Sequence, residues 1–209
     1  MKKIMFYILF IVTSICVFSN SMTLIGIEKN ISGSSYCVTV SPNQKCVTYV
    51  KGDSNFMYGQ LYIWRVGSNQ SQKVLSVEDR ICELTFSPDS NILLADIGTS
   101  ALRTVIVVSP SKGTKLGQFD FVGSAIFSPN SSRIAYGSVS RVKPKVATEI
   151  NGVVDLSLYF VDKKSSATLL KATSNQSFEP ISWKGSNLIY KCYNLAQGSS
   201  QNLMLTAKP

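Results

Sequence analysis

The side chains able to do chemistry near neutral pH are unevenly represented in this chain. Its 209 residues include no histidine, which removes Ser-His-acid and Cys-His nucleophile pairs, imidazole metal ligands and the usual proton shuttle. Lys and Arg number 21 against 12 Asp and Glu, a formal net charge of +9, so positive charge is the chemistry on offer. Its densest cluster is Ser140-Arg141-Val142-Lys143-Pro144-Lys145-Val146, where three cations could meet phosphate or carboxylate groups. Lys51 and Arg103 join them if the strands are ordered as argued below. Arg141, Lys143, Lys145, Lys51 and Arg103 are therefore the candidate binding residues. The plain alternative is a solvated hairpin extension around Pro144.

Other reactive types carry less. Asp53, Asp79, Asp89, Asp96, Asp120, Asp155 and Asp162 show no calcium-loop spacing and mostly fall at expected turns. Cys37, Cys46, Cys82 and Cys192 form no CxxC pair, so no metal site is expected. In an exported chain they could pair in three ways, or remain buried thiols acting as small hydrophobes. No P-loop or glycine-rich dinucleotide fingerprint occurs. The expectation is no catalytic residue, no cofactor and no metal. Trp64, Trp183, Tyr62 and Tyr159 could form a carbohydrate platform, but at strand spacing they read as packing between sheets.

The compartment bears on what a basic surface would meet. Met1-Lys2-Lys3 precedes a largely apolar run from Ile4 to Phe18 and then Ser19-Asn20-Ser21, the pattern of a secretory signal. Residues 1–21 are read as that signal, cleaved after Ser19 or Ser21, and 22–209 as the working domain. The run is short for a membrane span, which needs roughly 20 apolar residues, so no stable span is expected after cleavage. Ile15 before Cys16 argues against a lipoprotein signal. Loss of Lys2 and Lys3 leaves the exported chain basic. Export to a periplasm or medium favours an acidic protein or an anionic envelope polymer as partner, and disfavours nucleic acid.

The elements that would position the basic residues come from an internal repeat. Val38-Thr39-Val40-Ser41-Pro42-Asn43 recurs as Leu84-Thr85-Phe86-Ser87-Pro88-Asp89 and as Ala125-Ile126-Phe127-Ser128-Pro129-Asn130. A fourth copy, Ile181-Ser182-Trp183-Lys184-Gly185-Ser186, lacks the proline. Val40, Phe86, Phe127 and Trp183 stand 46, 41 and 56 residues apart, near the roughly 40 to 45 residues of a four-stranded propeller blade. Each turn is followed by apolar runs: Cys46–Val50 and Leu61–Trp64 after the first, Arg133–Tyr136 and Leu158–Val161 after the third. Their β-branched and aromatic residues suit strands. No sustained helical period appears.

The fold expected is all-β: a propeller of about four blades, each of four antiparallel strands. The lone run Thr23-Leu24-Ile25-Gly26-Ile27-Glu28 would supply the outer strand that the last unit lacks and close the ring. Loops between second and third strands should gather on one face, bringing the five basic residues together with Phe56, Tyr58 and Tyr193. The third such loop, Gly137 to Asp155, is the long one, and long loops in compact domains are often functional.

The Phe-Ser-Pro-Asp-Ser and Phe-Ser-Pro-Asn-Ser segments resemble the WD40-like repeat of TolB-like β-propellers, whose pattern is an aromatic, Ser-Pro-Asp-Gly, a basic residue and an apolar strand. Here Gln44, Ser90 and Ser131 replace the glycine, and the basic residue survives as Lys45 and Arg133. The resemblance implies a non-enzymatic, exported interaction scaffold of the cell envelope. Two further expectations stand beside it. Propellers of prolyl-oligopeptidase-type peptidases carry similar repeats, a reading that requires a Gly-x-Ser-x-Gly elbow and a histidine on a separate hydrolase domain. Binding of an anionic envelope polysaccharide is the other. TolB-like propellers commonly have more than four blades, so the chain could equally be a small ring, a half that dimerises, or a fragment.

Overall fold

The computed structural model describes residues 35–53, 55, 57–146 and 152–207. The expected signal, the run Thr23–Glu28 and Phe56 lie outside the described residues. Within them the chain is all strand and turn, with no helix. A first sheet holds β1 (Ser35–Val40), β2 (Cys46–Lys51), β3 (Gln60–Arg65) and β4 (Gln72–Ser76) in sequence order. A second, seven-stranded sheet holds β5 (Ile81–Phe86), β6 (Leu93–Ile97), β7 (Leu102–Ser109), β8 (Thr114–Phe127), β9 (Arg133–Val139), β10 (Val154–Phe160) and β11 (Ser165–Leu170). A third holds β12 (Gln176–Lys184), β13 (Asn187–Asn194) and β14 (Ser199–Thr206). All neighbours in the sheets are antiparallel.

The all-β expectation holds, and the sheets do not by themselves confirm separate four-stranded blades or their number. Strand β8 serves two partners, pairing with β7 from Thr114 to Val122 and with β9 from Val122 to Phe127. It folds back at Gly123, whose φ of 74° lies in the left-handed region. The rings of Phe119 and Tyr136, from the two sides of that fold, lie 4.3 Å apart. Hydrogen bonding is therefore continuous across what the repeat divides into two units, and the sheets have four, seven and three strands. Among the described residues they do not close into a ring.

Three cores fill the gaps between successive layers, and alternation along single strands feeds them. On β7, Ile106 and Val108 pack toward the first sheet with Val50, Leu61, Ile63, Ile81 and Leu93. Val105 and Val107 point the other way, joining Phe119, Phe121, Ile134, Tyr136 and Tyr159 between the two halves of the folded sheet. Ala135, Leu156 and Leu158 face the third sheet's Phe178, Leu188 and Tyr190. Middle strands are thus buried on both faces: every residue of Cys46–Val50 and of Leu93–Ile97 is buried. This is why they read as unbroken apolar runs instead of alternating ones. Each fully buried Leu, Ile or Val side chain contributes about 1.5–3 kcal/mol. The outer strands β4, β11 and β14 are mostly exposed.

Candidate functional site

Hydrogen bonds distinguish the two ends of the layers. At one end stand the Ser-Pro turns. Ser41 Oγ donates to Asn43 Oδ1 at 2.8 Å and accepts the Cys46 N–H at 3.0 Å; Ser87 with Asp89 and Ile92, and Ser128 with Asn130 and Arg133, repeat the pattern. Consecutive turns are also tied to each other. The Asn43 N–H donates to Ser90 Oγ at 2.9 Å, and the Asp89 N–H to Ser131 Oγ at 3.2 Å. The two serines that replace the glycine of the resembled motif are the acceptors that link one turn to the next.

At the other end lie the second-to-third-strand loops, as expected. Chain segments passing between sheets bond to them: Gly59 N–H to Asp79 O at 3.1 Å, Gly98 N–H to Arg80 O at 3.0 Å, Lys145 N–H to Ser174 O at 3.0 Å and Leu195 N–H to Asn175 O at 2.8 Å. Val122 pairs at once with Leu102 and Gly137, which puts the β6–β7 and β9–β10 loops side by side.

On this face the five candidate residues divide into two kinds. Arg141, Lys143 and Lys145 are exposed, on a loop whose stem is held by Ser140 N–H to Val153 O at 2.8 Å and by the Lys145 N–H bond. Lys51, at the end of β2, is half-buried with its Nζ 5.1 Å from the Tyr62 ring centroid, and Tyr62 in turn stacks on Tyr49. Arg103 is spoken for. Its Nη1 lies 2.5 Å from Asp96 Oδ2, its Nη2 donates to Gly123 O at 2.8 Å, and its guanidinium sits 4.7 Å from the Phe121 ring centroid. Arg103 also lines an open cleft of about 530 Å³, with Cys82, the Gly98–Ala101 loop, Val122 and Gly123 around it. Tyr58 is 60% exposed. Tyr193 donates to Glu179 Oε2 at 2.5 Å, and burial together with that carboxylate raises its hydroxyl to about 12. Trp64 and Tyr159 are buried, as packing residues should be.

Asp96 is the group that sequence reasoning misplaced. It lies not at a turn but within β6, 7% exposed, and Asp120 and Asp155 also lie within strands. Burial raises the Asp96 carboxyl to about 6 and Glu83 adds to the rise, while Arg103 opposes both. Burial wins over the close guanidinium, so the carboxylate is ionised and paired at neutral pH yet protonates readily on mild acidification. The signal was legible: an aspartate inside Ile92-Leu93-Leu94-Ala95-Asp96-Ile97 needs a buried partner. Cys37 and Cys82 were also under-read, being neighbours across the first two sheets. Among the described residues no group of three His, Cys, Asp or Glu could hold a metal.

No family model matches this chain, and no curated protein matches it. Among solved structures it is similar to the β-propeller domain of the trilobed protease from Pyrococcus furiosus, at 14% identity and a TM-score of 0.59, over 84% of this chain and 55% of that one. It is similar to the acylaminoacyl peptidase of Pyrococcus horikoshii, at 15% identity and TM-score 0.57, over 84% of this chain and 31% of that one. A prolyl endopeptidase matches at 12% identity and TM-score 0.52, over 77% and 26%. The chain thus spans about half of the first and less than a third of the others. The likeness shows a propeller-type fold. The narrower TolB-like attribution has no family match behind it.

Proposed function

We propose that this chain is an exported propeller-type binding module, without catalysis of its own, that takes an acidic protein surface on its loop face. The observation that supports this reading is the gathering of Lys51, Arg141, Lys143 and Lys145 on the end of the layers where the second-to-third-strand loops emerge. Arg103 serves there as a fixed post, its charge held by Asp96. The exposed cations of the β9–β10 loop make the first contact, and complementary charge gives them speed and selectivity. The cell envelope is the setting that the opening signal-like segment supports.

The test is capture from native envelope extract, with the chain beside an Arg141→Ser, Lys143→Ser, Lys145→Ser variant. A specific acidic protein retained by the first and lost by the second supports the reading. Equal recovery by both removes the loop from the site. Capture of anionic polysaccharide in its place, strongest at low salt, moves the reading to polymer binding.

A second reading draws on the peptidases among the solved structures similar to this chain, one of them a protease β-propeller domain. In it the chain works beside a hydrolase domain carrying the Gly-x-Ser-x-Gly elbow. Co-purification of a serine hydrolase that reacts with a fluorophosphonate probe supports this version, and absence of any labelled partner opposes it.

The architecture completes the proposal. Blades are counted as β1–β4, β5–β7 with the first part of β8, the rest of β8 with β9–β11, and β12–β14. The outer place beside β14 is proposed for the run Thr23–Glu28, which lies outside the described residues. Light scattering on the purified chain checks it: a monomer is expected, and a dimer points to two half-rings completing each other.

A further inference from the structure

We infer that Cys37 and Cys82 are a redox pair that forms a disulfide across the first and second sheets. Among Cys37, Cys46, Cys82 and Cys192 the structure brings one pair together. Cys37 Sγ lies 3.2 Å from the carbonyl oxygen of Cys82 and 3.6 Å from that of Ile81, so it rests against the backbone of the residue it would join. Cys82 Sγ is turned toward Gly98 O at 3.0 Å. The disulfide requires a rotation about the Cys82 χ1 that exchanges this weak S–H bond for the Cys37 sulfur, and β1 and β5 are already in contact.

The backbone is shaped for this approach. Tyr36 pairs with Val50 and Thr39 with Thr48, leaving Cys37 and Val38 opposite Tyr49 alone. Such a bulge re-aims a side chain out of strict alternation. Tyr36 and Cys37, consecutive on β1, both pack on the core between the first two sheets. Cys37 holds φ at 50°, a conformation uncommon for any residue but glycine. The remaining thiols are farther off, although Cys46 lines the same core as Cys37. Val40 pairs with Val47, so Cys46 stands near the far end of β1, about 10 Å along the strand from Cys37 at 3.3 Å per residue. Cys192 is buried in the core against the third sheet. Both are inert packing residues.

The reaction is thiol–disulfide exchange with a small disulfide or an oxidoreductase disulfide of the exported compartment. Cys82, on the wall of the cleft beside Arg103, loses its proton to solvent and attacks one oxidant sulfur. The oxidant's S–S bond breaks and its first thiol leaves. Cys37, deprotonated in turn, attacks Cys82 Sγ of the mixed disulfide and expels the second thiol. Two protein S–H groups become one S–S bond, and the oxidant gains the two electrons and two protons. The bond ties β1 to β5 and withdraws the Cys82 sulfur from the cleft wall.

The test uses the full chain, equilibrated with reduced and oxidised glutathione at a series of ratios, quenched in acid, unfolded, alkylated and mapped by mass spectrometry. Expected is a single linked peptide pair holding Cys37 and Cys82, with Cys16, Cys46 and Cys192 alkylated and an intact mass about 2 Da lower before alkylation. Alkylation of all five cysteines at every ratio, or a link between any other two, overturns the inference. Cys37→Ser is the second arm. It should trap glutathione on Cys82 and yield no internal link, whereas a new link from Cys82 to Cys46 or Cys192 would show that proximity at β1 does not govern pairing.

Discussion

Asp96 makes a prediction that belongs to a single side chain. Its folded pKa of about 6 stands above the 3.8 of an unhindered aspartate, so the folded state binds the proton more tightly than the unfolded state between these values. The stabilisation from this group is complete below about pH 4 and is lost as pH rises through 6. Chemical denaturation at pH 5 and pH 8 should show wild type gaining on the order of 1–3 kcal/mol at the lower pH relative to Asp96→Asn, at about 1.36 kcal/mol per pKa unit. Equal pH slopes for the two would remove Asp96 as the cause. The turn serines offer another test. Ser90 holds φ at 66°, which glycine adopts without strain, but its Oγ accepts the Asn43 N–H from the preceding turn. Ser90→Ala keeps the strain and loses the bond, costing about 1 kcal/mol. Ser90→Gly loses the bond and the strain together, so its urea midpoint should stay near wild type. The resembled motif showed where the turn would be; that its serines accept hydrogen bonds from another repeat is visible only when the repeats are packed side by side.

Strand β8 joins the two halves of the seven-stranded sheet. Its sequence, Thr114-Lys115-Leu116-Gly117-Gln118-Phe119-Asp120-Phe121-Val122-Gly123-Ser124-Ala125-Ile126-Phe127, alternates well enough to be one strand. Periodicity reports faces, and it is silent on a reversal of direction. Only the double pairing of Val122 reveals that this strand joins β7 on one side to β9 on the other. The close approach there leaves little room: a Cβ on Gly137 would stand 2.7 Å from Val122 O and 2.6 Å from Val154 Cγ1. Gly137→Ala should therefore destabilise by about 1–3 kcal/mol through overpacking. Gly123→Ala should cost about 1 kcal/mol through its positive φ. Thermal or denaturant unfolding of both variants checks the order, and a neutral Gly137→Ala would show that β8 and β9 part more easily than their register implies.

For the molecule as a whole, layers stacked one on the next imply graded stability. The third sheet leans on the second through Arg133, whose Nη1 donates to Ala207 O at 2.6 Å while its guanidinium stands 5.3 Å from the Trp183 ring centroid. Its last strand is mostly exposed. In stacked repeats stability is shared between neighbours, and local opening follows burial and contact density. Amide exchange should accordingly be slowest in β6 and β9, which have layers on both sides, and fast in β14. Arg133→Ala should speed exchange in β12–β14 severalfold and leave β1–β4 unchanged. Uniform acceleration across all three sheets would mean that the molecule opens as one unit.

By itself the sequence determined the local features: strand runs, Ser-Pro turns, the repeat, the missing imidazole chemistry and the basic character of one long loop. These depend on neighbours within a few residues, where hydrophobic period and turn chemistry act. The tertiary structure decided what depends on residues far apart in the chain. It placed Asp96 beside Arg103 in a dry strand, set Cys37 against Cys82, joined two repeat units through β8 and, among the described residues, left the sheets open. Charge, strain and sulfur proximity at those points arise from packing one repeat on another, and no spacing along the chain encodes the angle at which successive sheets meet.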